Sequence, residues 1–203
     1  MNEILLIGAG GHARACIDVI DQQGKYKIAG LIQKENTTNE SILGHPIIGI
    51  DEDLPKLRKD YNYALVTVGQ IKSSESRKKL YELLKEMDFK LPIIKSPLTY
   101  VSKHAQIGEG TIIMHGVVVN AKAKVGRNCI LNNKSLIEHD AVVGDHCHIA
   151  TGTIINGEVK VGDGTFIGSG ALTKHCISIG NNCVIGIGSV LKTDIPDNQW
   201  VKN

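Results

Sequence analysis

The sequence predicts a chain in two parts: an α/β unit with a small parallel sheet, followed by a parallel β-helix. Up to about residue 95, short apolar runs alternate with segments of helical periodicity. Beyond that point the apolar residues recur at every sixth position. Aromatic residues make up only 4% of the 203 residues, so aliphatic and small side chains must form most of the core. We expect one domain at residues 1–95 and a second at residues 96–203.

In the first domain, strand and helix segments alternate, which is typical of a parallel sheet with helical crossovers. The expected strands are EILLIGAG, YKIAGLI, YALVTVG and a closing KLPII. The expected helices are HARACIDVIDQQ, DEDLPKLRKDY and SSESRKKLYELLKEM. We expect KENTTNESILGHPIIG to be a loop.

The second domain is defined by a repeat of six residues. From Val101 to Leu191, fifteen of the sixteen positions spaced by six are aliphatic, and Thr173 is the exception. Small residues usually stand four positions later, and three of the five cysteines occupy this slot, so we expect those cysteines to be buried fillers. Glycine follows an aliphatic residue every eighteen positions, as at Gly126 and Gly144. Hexapeptide periodicity is the signature of a parallel β-helix, and we expect about five triangular coils over residues 97–193.

Charge and composition exclude several classes of protein. The net charge is +2 with interspersed signs, and basic clusters such as Arg77-Lys78-Lys79 look like solvated helix faces, so we expect no nucleic-acid partner. The apolar run Ile4 to Ile7 is too short for a signal peptide, and no later run approaches the length of a membrane span. The cysteines lack a CxxC pair, which indicates free thiols in a reducing compartment. We therefore expect a cytoplasmic protein without a membrane partner.

The segment LNNKSLIEHDAVVG places Glu138, His139 and Asp140 side by side. Residues eighteen apart stack vertically, so Gly157, which has no side chain, lies one coil above His139. A histidine that titrates near neutrality is a natural general base, and an uncovered backbone N–H above it is a plausible donor to an oxyanion. The three residues could equally point outward on a solvated turn. Spacing alone leaves both interpretations open.

The segment GAGGHA, Gly8 to Ala13, has the G-x-G-x-x-A spacing of a strand-to-helix turn. Such a turn can hold phosphates at a helix N-terminus in a Rossmann-like unit, although it can also be only a tight turn. The second strand ends in Gln33-Lys34 rather than in a carboxylate, which argues against NAD, because NAD requires an acid for its ribose.

Four further histidines compete for a functional role. His146 and His148 form an H-x-H pair, but no third ligand follows at a recognisable spacing, so we expect no metal. His115 and His175 are expected to be surface positions without a partner.

At VVVNAKAKVGRNCILNNKSLIEHDAVVGDHCHIATGTIINGEVKVG, LLIGAGGHA and LGHPIIG, the chain resembles a group of bacterial sugar acetyltransferases. The group includes nucleotide-sugar 4-amino N-acetyltransferases of the bacillosamine and perosamine pathways and sialic acid O-acetyltransferases. The resemblance covers essentially the whole chain. It implies a left-handed β-helix, acetyl-CoA as co-substrate, direct acetyl transfer without an acyl-enzyme, and a homotrimer with active sites between adjacent β-helices.

The resemblance also implies roles for individual residues. His139 would be the general base, and Asp140 would orient and polarise it, with Glu138 beside it. Residues at the acetyl end would be Asn132, His148 and the backbone N–H of Gly157. The first domain would bind the nucleotide-linked sugar through Gly8, Gly10, Gly11, His12, Gly69 and Gln70, with Gln33 and Lys34 at the position after the second strand.

Two features depart from the family pattern. Members that act on nucleotide sugars commonly carry aspartates where this chain has Gln33-Lys34. The sequence also stops at DIPDNQWVKN without a Gly-x-Pro-Ala tail, from which we expect looser binding of the adenine end of coenzyme A. The leading hypothesis is acetylation of the amine of a nucleotide-linked amino sugar. The alternatives are O-acetylation of sialic acid or a related sugar hydroxyl, and a non-catalytic scaffold that binds sugar nucleotides.

Overall fold

A computed structural model of the protein describes residues 1–35 and 40–202. The first unit consists of β1 (Asn2–Ile7), α1 (Gly11–Gln23), β2 (Tyr26–Gln33), β3 (Ser41–Ile42), β4 (His45–Ile50), a 3-10 turn (Asp51–Asp53), α2 (Leu54–Leu57), β5 (Tyr63–Val66) and α3 (Glu75–Glu86). Within these ranges and the rest of the described chain, no helix is long and apolar enough to cross a membrane.

The strands of the first unit form one sheet in the order β3-β4-β2-β1-β5. Strands β4, β2, β1 and β5 are parallel, and this order is that of a Rossmann-like half, as predicted. Residues Ile4 to Ile7 of β1 are completely buried, because β1 lies in the middle of the sheet with a core on each of its faces. The loop from β1 into α1 therefore starts at the carboxyl edge of the sheet.

The N-terminal unit departs from the prediction at three segments. Part of the expected loop, SILGHPIIG, forms the antiparallel β3–β4 hairpin and then a parallel strand beside β2, while residues 36–39 lie outside the described chain. The expected helix DEDLPKLRKDY is helical only to Leu57 and then closes in turns on the Leu57 carbonyl. KLPII does not close this sheet. Lys90 makes an isolated bridge to Tyr63, and Ile94–Lys95 pairs instead with the β-helix.

From Ile94 to Val201 the chain forms a left-handed β-helix of two-residue strands, stacked in three parallel sheets that are the faces of a prism. The stack starts slightly earlier and ends later than the predicted 97–193. We name the three sheets by what lies on their outer side. The covered face, on which the first unit packs, comprises Ile94–Lys95, Ile112–Ile113, Ile130–Leu131, His148–Ile149, Phe166–Ile167, Val184–Ile185 and Trp200–Val201. The apolar face comprises Tyr100–Val101, Val118–Val119, Leu136–Ile137, Ile154–Ile155, Leu172–Thr173 and Val190–Leu191. The polar face comprises Gln106–Ile107, Lys124–Val125, Val142–Val143, Lys160–Val161 and Ser178–Ile179.

The hexad explains how each coil closes. From Val101 onward the second residue of each strand points into a continuous core, aliphatic except at Thr173, and the residues four positions later, most of them small, fill the corners. Cys129, Cys147 and Cys183 are buried free thiols in this slot, as predicted. From Gly110 to Gly188 one residue in each hexad has a positive φ, and Asp140 is among these turn residues with a φ of 59°. Aspartate tolerates this left-handed conformation better than most residues do.

The eighteen-residue glycine repeat has a steric cause. The Cβ of an alanine at Gly162 would lie 2.6 Å from the backbone nitrogen of Asn181 in the next coil. The residue after each glycine adds a side-chain bond between coils: the N–H of Asp145 donates to Oδ1 of Asp163, and the N–H of Asp163 donates to Oδ1 of Asn181, each at 2.8 Å. The close approach of the coils therefore requires glycine at this edge.

The first unit packs on the covered face, where Ile112 and Ile130 share one apolar cluster with Ile4 and Ile17. The prism consequently has two edges that border this face. The third edge, between the apolar face and the polar face, lies opposite the first unit. We refer to it as the distal edge. It contains residues 138–141, the turn that joins Leu136–Ile137 to Val142–Val143.

Candidate active site

His139 lies on the distal edge, with its side chain 59% exposed. Its Nδ1 lies 3.1 Å from Oδ2 of Asp140, and since a carboxylate only accepts, Nδ1 carries the proton in this pair. The other ring nitrogen, Nε2, is then free to accept a proton. Glu138 is held in place by a bond of 2.9 Å from Asn120 Nδ2 to its Oε2, which also accepts from the His139 N–H. The EHD segment is thus a solvated turn that nevertheless has the geometry of an oriented base.

Gly157 stacks directly above His139. A Cβ at this position would lie 2.8 Å from both Cε1 and Nε2 of the imidazole, so any side chain here would displace the ring. Gly157 is buried, and among the described residues its N–H donates to no acceptor. Buried N–H groups are almost always paired, so an unpaired one beside a basic nitrogen is notable. The pair provides a proton acceptor and a hydrogen-bond donor at one point on the distal edge.

A second set of predicted residues lines a cavity of about 640 Å³ in the first unit. Gly8 and Gly10 border it from the loop before α1, which we call the glycine loop. Gly11 and His12 border it from the first turn of α1, and Gly69 from the segment after β5. Gly8 has a φ of 116°, and a Cβ there would lie 2.6 Å from the Val68 side chain, so the loop requires glycine. The N-terminus of α1 opens into this cavity and can hold a phosphate through its free N–H groups.

His148 lies at the junction of the two units. Its Nδ1 donates to the main-chain oxygen of Gln70 at 2.7 Å, and its Nε2 accepts from Asn132 Nδ2 at 3.3 Å. Burial lowers the pKa of His148 to about 4, so the ring is neutral at physiological pH. His12 lies beside it, with 6.5 Å between ring centroids. Burial lowers the pKa of His12 to about 3, and its Nε2 has no hydrogen-bond partner among the described residues.

The predicted residues therefore fall into two groups on different sides of the molecule. One group, at the cavity and its border with the covered face, contains the glycine loop, His12, His148 and Asn132. The other, on the distal edge, contains His139 with its neighbours and Gly157. Within the described chain, His139 makes no contact with Asn132 or His148, and it does not line the cavity.

Other predicted residues have the following surroundings. Lys34 lines the cavity, whereas Gln33 is buried at the end of β2 and is not among the lining residues. Gln70 is also buried, and its side chain donates to the carbonyl of Gly164 at 2.9 Å, which joins the two units. His115, expected to lack a partner, instead contacts Asp18 and Ser96 at 2.7 Å each, because α1 packs against this edge.

Arg77 is buried, so the prediction of a solvated side chain at this position is wrong. It is only 1% exposed and lies where α3 packs on the β-helix. Its guanidinium donates to Gln70 Oε1 at 2.8 Å and to the carbonyl of Asn128, and among the described residues no carboxylate pairs with it. Burial lowers its pKa to about 10, so it remains charged at pH 7. Arg77 holds Gln70 in place, and Gln70 in turn fixes the tautomer of His148.

The sequence matches two family profiles. Residues 3–84 match the PglD N-terminal domain, and residues 104–139 and 140–175 match the bacterial transferase hexapeptide (six repeats). Among the described residues, no group of three or more His, Cys, Asp or Glu side chains is arranged to hold a metal.

Solved structures match nearly the whole chain. A histidine-to-asparagine mutant of perosamine N-acetyltransferase from Caulobacter crescentus, in complex with CoA and GDP-perosamine, is 30% identical; the match covers 98% of this chain and 93% of that chain, with a TM-score of 0.93. The acetyltransferase domain of PglB from Neisseria gonorrhoeae, in complex with acetyl coenzyme A, is 29% identical over 98% and 96% of the two chains, with a TM-score of 0.91. WeeI from Acinetobacter baumannii, at 23% identity and a TM-score of 0.88, shares the fold. The chain therefore belongs to the bacterial hexapeptide-repeat sugar acetyltransferases that carry a PglD-type N-terminal domain.

Proposed function

We propose that the protein transfers the acetyl group of acetyl-CoA to the amine of a nucleotide-linked amino sugar, with His139 as the general base. The observation that carries this proposal is the arrangement on the distal edge. The Asp140 carboxylate orients His139 so that its basic Nε2 lies beside Gly157, which has an unpaired, buried N–H. Perosamine N-acetyltransferase, solved with both CoA and GDP-perosamine, supports the same chemistry.

In the proposed reaction, the amine nitrogen of the sugar attacks the thioester carbonyl carbon. Nε2 of His139 takes a proton from the nitrogen as the C–N bond forms, and Asp140 stabilises the imidazolium. The N–H of Gly157 donates to the carbonyl oxygen while it carries negative charge. The C–S bond then breaks, coenzyme A leaves, and the proton on His139 passes to its sulfur. The products are an amide and a thiol, without an acyl-enzyme.

The cavity of the first unit is proposed to bind the nucleotide-linked sugar. Its glycine loop and the N-terminus of α1 suit the diphosphate, since free backbone N–H groups attract anions. The neutral rings of His12 and His148 at the inner border are proposed to contact the sugar or acetyl end, and Nε2 of His12 is the acceptor without a partner among the described residues. The amide product distinguishes this activity from O-acetylation, because hydroxylamine cleaves the ester of an O-acetylated sugar and leaves the amide.

We further propose a homotrimer in which a neighbouring copy brings its His139 to the cavity. His139 lies on the distal edge and the cavity lies on the opposite side, so one chain alone keeps the two groups apart. The outward positions of the apolar face are Tyr100, Val118, Leu136, Ile154, Leu172 and Val190, and Tyr100 and Val190 are 59% and 58% exposed. An uncovered apolar face beside His139 favours closed packing against other copies. A cytoplasmic location is proposed because that compartment supplies acetyl-CoA.

Replacing His139 with alanine is expected to lower the turnover of the amino sugar by roughly 10²–10⁴-fold, because the base is lost. Thiol release from acetyl-CoA, measured with a nucleotide-linked amino sugar, gives the rate. His175→Ala, at an exposed coil position, is the matched control and should retain activity. Near-wild-type turnover by a correctly assembled His139→Ala variant would show that another group is the base.

Gly157→Ala is expected to lower turnover without lowering stability, since the three atoms nearest to the new Cβ all belong to the exposed ring of His139, and that ring can move. Gly162→Ala is the matched control, and this substitution is expected to lower the stability. Its Cβ meets the backbone of the next coil, so it should lower the free energy of unfolding by about 1–3 kcal/mol. Denaturant unfolding and thiol release measure the two effects. Full activity in Gly157→Ala would exclude Gly157 and its stacking on His139 from the reaction.

Leu136→Lys is expected to prevent assembly, because it places a charge in the middle of the apolar face. Light scattering after gel filtration should detect a monomer, and thiol release should fall with it. Val142→Lys introduces the same charge on the polar face and should leave the trimer intact. An unchanged trimer in Leu136→Lys would mean that the apolar face is not the interface.

A further inference from the structure

The carboxyl edge of the N-terminal sheet carries a lysine and an aspartate at the ends of neighbouring strands. The two side chains do not pair with each other, and Nζ of Lys34 lies 3.9 Å from Oε1 of Glu35. Strands β2 and β4 are paired with Gln33 opposite Ile50, so the next residues, Lys34 and Asp51, leave the sheet together. Both line the cavity that contains the glycine loop. In sheets of this topology, ligands bind at the carboxyl ends of the strands, which is where these two residues lie.

The position of this pair relative to the glycine loop fits the two ends of a nucleotide. The strand order runs β4, β2, β1, so the Lys34–Asp51 pair lies up to two strand spacings, about 10 Å, from the loop after β1. That is the scale of a nucleoside measured from its phosphate to the far edge of its base. A diphosphate at the N-terminus of α1 therefore places the base against Lys34 and Asp51.

The Asp51 carboxylate has unused acceptor capacity. Among the described residues, it accepts no side-chain hydrogen bond, and no cation lies within ion-pair distance of it. Partial burial raises its pKa, while the charge of Lys34 has the opposite effect. A carboxylate oxygen pair without partners in a cavity favours a ligand with two adjacent donors.

We infer that Lys34 and Asp51 recognise the Watson–Crick edge of guanine, so that the substrate of the proposed reaction is a GDP-linked sugar. This edge presents O6 as an acceptor, followed by the N1–H and N2–H donors. Lys34 donates to O6, and the two oxygens of Asp51 accept from N1 and N2. Uracil and thymine present acceptor, donor, acceptor, which turns one carbonyl oxygen toward the carboxylate. The inference depends on the cavity binding the nucleotide, as proposed above.

Calorimetric titration of the intact protein with GDP, UDP and dTDP tests this assignment without any substitution. A bidentate contact to one base typically discriminates by 1–3 kcal/mol, so GDP should bind roughly 10- to 100-fold more tightly than either pyrimidine nucleotide. Equal or tighter binding of UDP or dTDP would overturn the inference.

Asp51→Asn gives a sharper test, because it exchanges one acceptor for a donor without changing size. Xanthine carries a carbonyl oxygen where guanine carries its N2 amino group. The variant should therefore lose affinity for GDP by roughly 10- to 100-fold and gain affinity for xanthosine diphosphate. Glu52→Gln removes the same charge from the neighbouring exposed residue and should leave the GDP preference unchanged. A uniform loss for all nucleotides, or no change, would contradict direct contact with the base.

Thiol release separates this inference from the proposed activity. If the protein acetylates a UDP-linked amino sugar better than a GDP-linked one, the activity stands and the guanine assignment is wrong. If it binds GDP selectively but releases no thiol with any amino sugar, the guanine assignment stands and the acetyltransferase proposal is wrong.

Discussion

The parallel hydrogen-bond ladder, which stacks residues eighteen positions apart in successive coils of the β-helix, is the constraint on which the site depends. The ladder sets Gly157 over His139, and the absence of a side chain there leaves room for the imidazole. The same register packs Gly162 against the backbone of the next coil, so glycine is required for two different reasons in one repeat. A shift by one residue would turn the inward aliphatic set outward and separate the proposed base, His139, from the N–H above it.

The second constraint is the buried contact between the two units. Arg77 donates to carbonyl oxygens of the β-helix and to Gln70, and the Gln70 main chain fixes His148 as a neutral acceptor. Breaking one partner of such a network leaves a buried charge unpaired, which is costly. These contacts fix the cavity on the covered side of the prism. Because His139 lies on the distal edge, the proposed reaction requires two copies of the chain to meet.

The sequence predicts much of this arrangement because the decisive signals are periodic. The hexad identifies the coil, and counting eighteen residues from His139 leads to Gly157. Features that depend on contacts between distant segments carry no such signal. Arg77 lies in a basic run typical of a solvated helix, and only the packing of α3 on the β-helix buries it. The proximity of Lys34 and Asp51 depends on the register of β2 with β4, and β4 begins within a segment whose turn residues favoured a loop. Similarly, KLPII has strand propensity, but its partner is a coil of the β-helix.

Complementation between two inactive variants tests the central claim most directly. His139→Ala removes the proposed base, and Gly10→Trp fills the cavity from a position where an added Cβ would meet no other atom within 4 Å. In mixed trimers, about a quarter of the sites should combine an intact cavity from one copy with an intact His139 from the next. Thiol release should therefore recover to that fraction of wild type after the two proteins are co-expressed. If the mixed assemblies remain as inactive as each variant alone, the base and the cavity act within a single chain and the account is wrong.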